Sequence, residues 1–262
     1  VEMLVCNKLK EKLKRGEAVL GTWNTLSSPL VTEVLAQSGL DFQIIDLEHG
    51  PFAMDKVYLH VSACENSQCT PLVRIPSNSD WMALQALDQG AHGVVVPHID
   101  TVDDANIFVD ATKYHPQGNR GFTPFSKAGG FTNVNVDKYV GRAIDETINI
   151  VIIESKEGLD NLEEILKVGA IDIVYFGAYD LSQALGHPGN TKHPEVVQAI
   201  QQGVNLVNGA DKYAGGFVPQ SKNEIQELLD MGMKFITYEV DSSIIHKHVD
   251  DVSSWFLRTK NE

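Results

Sequence analysis

The sequence predicts a (β/α)8 barrel, on three observations. Eight short apolar runs recur along 262 residues, separated by polar text and amphipathic stretches. Several runs are near-continuous and β-branched, such as Gly93-Val94-Val95-Val96 and Ile150-Val151-Ile152-Ile153, as strands buried on both faces of a parallel sheet must be. The length suits one α/β barrel of about 250 residues, so residues 1–262 are expected to form a single domain. A doubly wound open sheet is the competing architecture, but it usually holds fewer strands, and no G-x-G-x-x-G follows the first run.

The first strand is expected at 18–23. A helix at 29–38 then places Leu30, Val31, Val34 and Leu35 on one face. Strands follow at 42–46 and 71–75. The helix at 79–89 carries Trp81, Leu84 and Leu87 and stops at Gly90. After the strand at 93–97, Thr101 caps a helix running to 114, where Asp103 and Asp104 suit the positive end of the helix dipole. The stretch 114–146 is polar and Gly-rich, with Arg120-Gly121-Phe122-Thr123 and Lys127-Ala128-Gly129-Gly130. Connections this long in a compact domain are usually functional. Because it follows the fourth strand, it is expected to cover the top of the barrel, with an added helix at 136–144. Strands at 149–154, 172–176, 214–218 and 234–240 alternate with helices at 158–168, 194–208, 221–231 and 242–255.

Composition narrows the function. At 43% hydrophobic and 21% charged residues, the chain is not of the disordered class. Lys and Arg number 21 against 35 Asp and Glu, a net charge of −14, which disfavours nucleic acid and an anionic membrane surface as partners. No apolar run approaches the roughly 18 residues a membrane helix needs. Residues 1–16 are Lys-rich and lack a signal-peptide core, so the cytoplasm is the expected location. Cys6, Cys64 and Cys69 are odd in number and form neither C-x-x-C nor a zinc-type spacing, which argues against a disulfide framework.

In such a barrel, chemistry gathers at the C-terminal ends of the strands. Those ends read Asp46-Leu47-Glu48-His49, Arg74, Pro97-His98, Glu154, Gly177-Ala178-Tyr179-Asp180 and Glu239-Val240-Asp241. So many acids around one mouth repel one another unless a cation joins them. Glu154 and Asp180 come from adjacent strands and can converge on Mg²⁺ or Mn²⁺, which takes a few carboxylates and leaves positions for a chelating 2-oxo acid. Alternatively, Glu154 pairs with a neighbouring strand-end base and Asp180 caps a short helix beginning at Leu181. His49 fits general acid–base work, with Asp46 on the same strand able to hold its imidazole in one tautomer. Arg74 either stabilises a developing enolate or simply pairs with Asp46 or Glu48. His98 sits near the mouth. His246 and His248 point apart on a helix, and the remaining histidines read as surface or packing residues.

Taken together, Gly21-Thr22-Trp23, Ile45-Asp46-Leu47-Glu48-His49, Val73-Arg74-Ile75-Pro76, Leu87-Asp88-Gln89-Gly90-Ala91, Val96-Pro97, Arg120-Gly121, Ile153-Glu154-Ser155, Asp180-Leu181-Ser182 and His193-Pro194 give the chain a likeness to a known family. It resembles the HpcH/HpaI aldolases, class II metal-dependent enzymes that cleave 2-keto-3-deoxy sugar acids and 4-hydroxy-2-oxo acids. The resemblance spans nearly the whole chain. It implies a (β/α)8 barrel, commonly a hexamer whose dimers exchange their last helix. It implies Mg²⁺, Mn²⁺ or Co²⁺ on Glu154 and Asp180, His49 as proton acceptor and Arg74 as stabiliser of the transition state. It also implies that Asp88 raises the basicity of the catalytic His, a role that can be filled across a subunit interface.

Three departures bear on substrate. Ile152 stands where the family usually has a Gln that contacts substrate. Tyr179, beside Asp180 in the expected substrate site, replaces a small residue that lets the backbone meet the pyruvate carboxylate. Phe122 to Lys127 replace the usual Gly and basic residues after Arg-Gly. The resulting expectation is an aldolase acting on a small 2-oxo acid and releasing an aldehyde, in a homo-oligomer. A related acyl-CoA lyase or decarboxylase, and a metal-binding pseudoenzyme, are the alternatives.

Overall fold

Ile148, Ile150 and Ile152 of one strand pack inside a closed ring, while Val151 and Ile153 of the same strand face outward into a layer of helices. This alternation, repeated around the ring, explains why the apolar runs are continuous. The computed structural model describes residues 7–51, 53–216 and 219–260. Its strands are β1 (Val19–Asn24), β2 (Phe42–Asp46), β3 (Thr70–Arg74), β4 (Gly93–Val96), β5 (Ile148–Ile153), β6 (Ile173–Phe176), β7 (Tyr213–Gly216) and β8 (Phe235–Val240). Each pairs in parallel with the next, and β8 returns to β1 to close the barrel, with a register shift between Gly21 and Trp23. The expected (β/α)8 architecture is the observed one. The seventh expected strand is described as far as Gly216; Phe217, Val218 and Cys6 lie outside the described residues.

The helices are α1 (Lys8–Lys14), α2 (Pro29–Gln37), α3 (Val57–Asn66), α4 (Asp80–Asp88), α5 (Val102–Thr112), α6 (Val136–Glu146), α7 (Lys156–Asp160), α8 (Leu162–Ile165), α9 (Ala178–Ala184), α10 (Pro194–Gly209), α11 (Lys222–Asp230) and α12 (Asp241–Thr259). Leu9 and Leu13 of α1 join the barrel interior with Phe42 and Phe235, whose rings stack 4.0 Å apart. The expected helix at 158–168 is two pieces, broken at Asn161, whose side chain donates to the carbonyl of Asp100. Helix α3 differs from expectation by its presence and α9 by its start. Helix α3 escapes the pattern because it buries His60 among its apolar residues and has no side-chain cap. Helix α9 opens directly on the strand-six end rather than at Leu181. Cys64 and Cys69 are buried free thiols.

The long connection corrects the expectation made for it. It leaves the C-terminal end of α5 and delivers the chain to the start of β5, so it does not cover the mouth. Arg120 instead pairs with Asp88 at 2.8 Å and stacks over Tyr114, while Lys127 reaches Glu65 at 2.7 Å on α3. Lys113 ties the two ends together. Its Nζ, buried, donates to the carbonyls of Ile144 and Thr147, both at 2.9 Å. Burial pulls its pKa down to about 8. Above that pH the unfolded chain, with a Lys pKa near 10.4, binds the extra proton, so stability rises with pH over this window. Lys113→Met should abolish the rise and leave two carbonyls without a donor. The gap in melting temperature between wild type and variant should therefore widen from about pH 7 to about pH 10 by calorimetry. A gap that stays flat would refute this account.

Candidate active site

At the end of β2 the chain turns on Asp46, whose Oδ1 accepts the backbone N–H groups of Glu48 (3.0 Å) and His49 (3.2 Å). Asp46 lies on the same rung as Arg74 of β3. The guanidinium grips it with two bonds, Nε to Oδ1 at 2.8 Å and Nη2 to Oδ2 at 2.5 Å, and Nη1 stands 3.0 Å from Glu48 Oε2. Burial alone would lower the Arg74 pKa, but hydrogen bonding to Asp46 and the charges of Asp46 and Glu48 hold it above its ordinary value. The guanidinium lies 4.3 Å over the Trp23 ring. Trp23 Nε1 donates to the Tyr175 hydroxyl at 3.1 Å, and Tyr175 bonds Thr237 at 2.8 Å. A buried polar chain thus supports the cation from below.

Glu154 follows β5 and is nearly buried. Its Oε1 accepts the backbone N–H of His98 at 2.8 Å and faces His98 Nδ1 at 2.8 Å. His98 Nε2 stands 3.7 Å from Glu48 Oε1, so the imidazole bridges the two carboxylates. The other oxygen, Oε2, lies against Gly177, the residue that opens α9 and puts Asp180 in its first turn. Burial pushes the Glu154 carboxyl above its ordinary range, and the charges of Asp180 and Glu48 push the same way, against the opposing His98. Gly177 is required for space. A Cβ there would lie 2.8 Å from Glu154 Cβ and 3.0 Å from Oε2. Gly177→Ala is therefore expected to displace Glu154 and lower turnover about tenfold to a hundredfold, with little change in secondary structure by circular dichroism. Wild-type rates in that variant would show that the carboxylate has room to spare.

These strand ends enclose a mouth of about 270 Å³. His49, Arg74, Glu154, Asp180 and Tyr179 all line it, with Trp23, Ile152 and Val240 supplying apolar wall. His49 is exposed at the rim, with no hydrogen bond to its imidazole among the described residues. Tyr179 is also exposed, and Ile152 is buried. One expectation needs correction. Asp46 does not hold the His49 ring: Arg74 occupies its carboxylate, and only the His49 backbone touches it. Asp88 does not reach this mouth in its own chain, because it ends α4 in a pair with Arg120. Glu48 joins the site through Arg74 and His98 through Glu154, the alternative pairings the sequence offered for those two residues, whereas the Trp23–Tyr175–Thr237 chain was not foreseen. Position just past a strand end was the available signal for His98, and inward-facing polar residues late in β6 and β8 were the signal for the chain.

The donor set fits a hard dication. The carboxylates of Glu154 and Asp180 share the mouth, the acids Asp46 and Glu48 exceed what Arg74 balances, and the missing side chain of Gly177 leaves its space to the Glu154 carboxylate. Among the described residues one other group of potential ligands gathers, His187, His193 and Glu195. There the two rings stack face to face, 3.4 Å apart and 19° from parallel, and His187 Nε2 pairs with Glu195 Oε2 at 2.9 Å. His193 Nδ1 accepts the backbone N–H of Glu195, which makes the group a cap on α10.

Comparison with known proteins identifies the family. The model of the HpcH/HpaI aldolase/citrate lyase family matches residues 20–247. The chain belongs to this family. A 2-keto-3-deoxy-L-rhamnonate aldolase of Escherichia coli is 34% identical over 98% of this chain and 96% of its own. An HpcH/HpaI aldolase from Desulfitobacterium hafniense superposes with a TM-score of 0.90, at 27% identity, over 95% of this chain and 96% of the other. The citrate synthase SbnG superposes with a TM-score of 0.88, at 28% identity, over 97% of this chain and 99% of the other. The fold thus carries aldolase and synthase names alike.

Proposed function

We propose that the chain is a divalent-cation-dependent aldolase that cleaves a 4-hydroxy-2-oxo acid, of the 2-keto-3-deoxy sugar acid class, into pyruvate and an aldehyde. The observation that carries this reading is the meeting of Glu154 and Asp180 with Arg74 and His49 in one strand-end mouth. The name of the E. coli relative, similar over nearly its full length, supports it.

Glu154 and Asp180 would hold the ion, Mg²⁺, Mn²⁺ or Co²⁺, which when bound supplies Lewis-acid polarisation of the substrate's keto oxygen. Arg74 presents a fixed positive charge, oriented by Asp46 and Trp23 before substrate arrives, to the negative charge that develops as the enolate forms. His49 takes the proton from the C4 hydroxyl, the C3–C4 bond breaks, the aldehyde departs, and protonation of the enolate at C3 completes pyruvate. The turn on Asp46 fixes the His49 backbone at the rim while leaving its imidazole free to reach substrate. Ile152 presents no hydrogen-bonding group to the mouth, so recognition falls to Arg74, the ion and the backbone at the start of α9. The same reading includes a homo-oligomer in the cytoplasm. Val249, Val252 and Trp255 are exposed along α12, and Asp88 would act from a neighbouring subunit.

The test is pyruvate release from a panel of 4-hydroxy-2-oxo acids, with and without EDTA. Turnover that requires added Mn²⁺ or Mg²⁺ supports the reading, and metal-independent turnover refutes it. A thermal shift with Mn²⁺ and pyruvate but no cleavage of any panel member would identify a binder.

A further inference from the structure

The two oxygens of Glu154 have different surroundings. Oε1 accepts the His98 backbone N–H and faces the His98 ring, each at 2.8 Å, whereas Oε2 lies beside the bare Cα of Gly177, at the turn that carries Asp180. His98 adopts a left-handed backbone, with φ of +56°, which a non-glycine residue rarely does and which surrounding contacts must sustain. Its ring is largely exposed, so core packing does not explain that conformation. The backbone N–H and Nδ1 contacts to one carboxylate oxygen do. The far side of the ring faces Glu48, itself paired with Arg74, so the imidazole spans from the acid that would hold the ion to the acid that flanks the guanidinium.

From this we infer that His98 is a positioning residue. It clamps Oε1 of Glu154 and thereby turns Oε2, and only Oε2, toward the space shared with Asp180. The carboxylate is preset to bind the cation through one oxygen, with no reorientation on binding. The inference rests on the proposed cation-dependent function and deepens it by assigning a further residue to that site. Partners that orient a ligating carboxylate are commonly worth about tenfold to a hundredfold in metal affinity.

The experiment measures Mn²⁺ binding to the full chain by the loss of the free-ion electron paramagnetic resonance signal, alongside kcat and KM for pyruvate release. His98→Ala should weaken Mn²⁺ binding about tenfold to a hundredfold. His98→Asn, which keeps an N–H donor near the place of Nδ1, should recover most of that loss. Raising Mn²⁺ to saturation should restore much of the His98→Ala rate, whereas a merely structural defect would not respond to the ion. If His98→Ala fails to fold, His98→Leu takes its place with the same expectation. Wild-type Mn²⁺ affinity in the Ala or Leu variant, or equal weakening in the Asn variant, would overturn the inference. Absence of Mn²⁺ binding by the wild type would instead overturn the cation-dependent function.

Discussion

Glu154→Gln and Asp180→Asn should each lower pyruvate formation about a thousandfold while leaving the barrel folded. An ion that polarises a keto oxygen contributes several kcal/mol to the transition state, and each 1.4 kcal/mol is about a factor of ten in rate. Both substitutions keep the shape of the side chain and remove only its charge, so the packing against Gly177 and the α9 turn is retained. In the folded chain Glu154 is buried beside the charges of Asp180 and Glu48, an arrangement that raises its pKa and costs stability whenever it is ionised. Two results follow together. At neutral pH, Mn²⁺ should raise the melting temperature of the wild type, because it binds the folded state and relieves this repulsion. The same ion should do little for either variant, while the metal-free Glu154→Gln protein melts no lower than the metal-free wild type. A variant that keeps both turnover and the Mn²⁺ shift would remove that carboxylate from the metal site.

The fold was legible because parallel strands buried on both faces write continuous apolar runs, and strand ends can be counted from them. Asp46, Arg74, Glu154 and Asp180 were legible as site residues for the same reason: each falls at or just beyond a strand end. Their partners were less so. The sequence offered Asp46 two partners, its near neighbour His49 and the strand-end Arg74; barrel register puts Asp46 on a rung with Arg74, and lateral pairing decides for the second. His98 was visible as a position, but its grip on Glu154 depends on a left-handed backbone that no residue pattern announces. The direction of the long connection was misjudged because α5 stands between it and β4, which returns the chain to the opposite end of the barrel. Asp88 is a different case. A role for it in the mouth came only from family resemblance, and within one chain its carboxylate is turned to Arg120.

Arg74 tests whether charge compensation and catalysis can be separated. Arg74→Ala should lower kcat about a hundredfold to a thousandfold, the range found when one fixed donor to a developing oxyanion is removed. It should also destabilise by about 3–5 kcal/mol, because buried Asp46 loses its two bonds to the guanidinium and its only close countercharge among the described residues, and Glu48 loses its nearest cation. Arg74→Lys keeps the charge but cannot supply the paired donors or lie flat over Trp23, so it should recover much of the stability and less of the rate. The decisive variant combines Arg74→Ala with Asp46→Asn. Neutralising Asp46 removes the uncompensated charge, so melting temperature should return toward that of the wild type. Catalysis should not return with it, because the positive charge that meets the enolate is still missing. Recovery of both together would mean that Arg74 serves only to balance Asp46, and that the mouth stabilises its enolate with some other group.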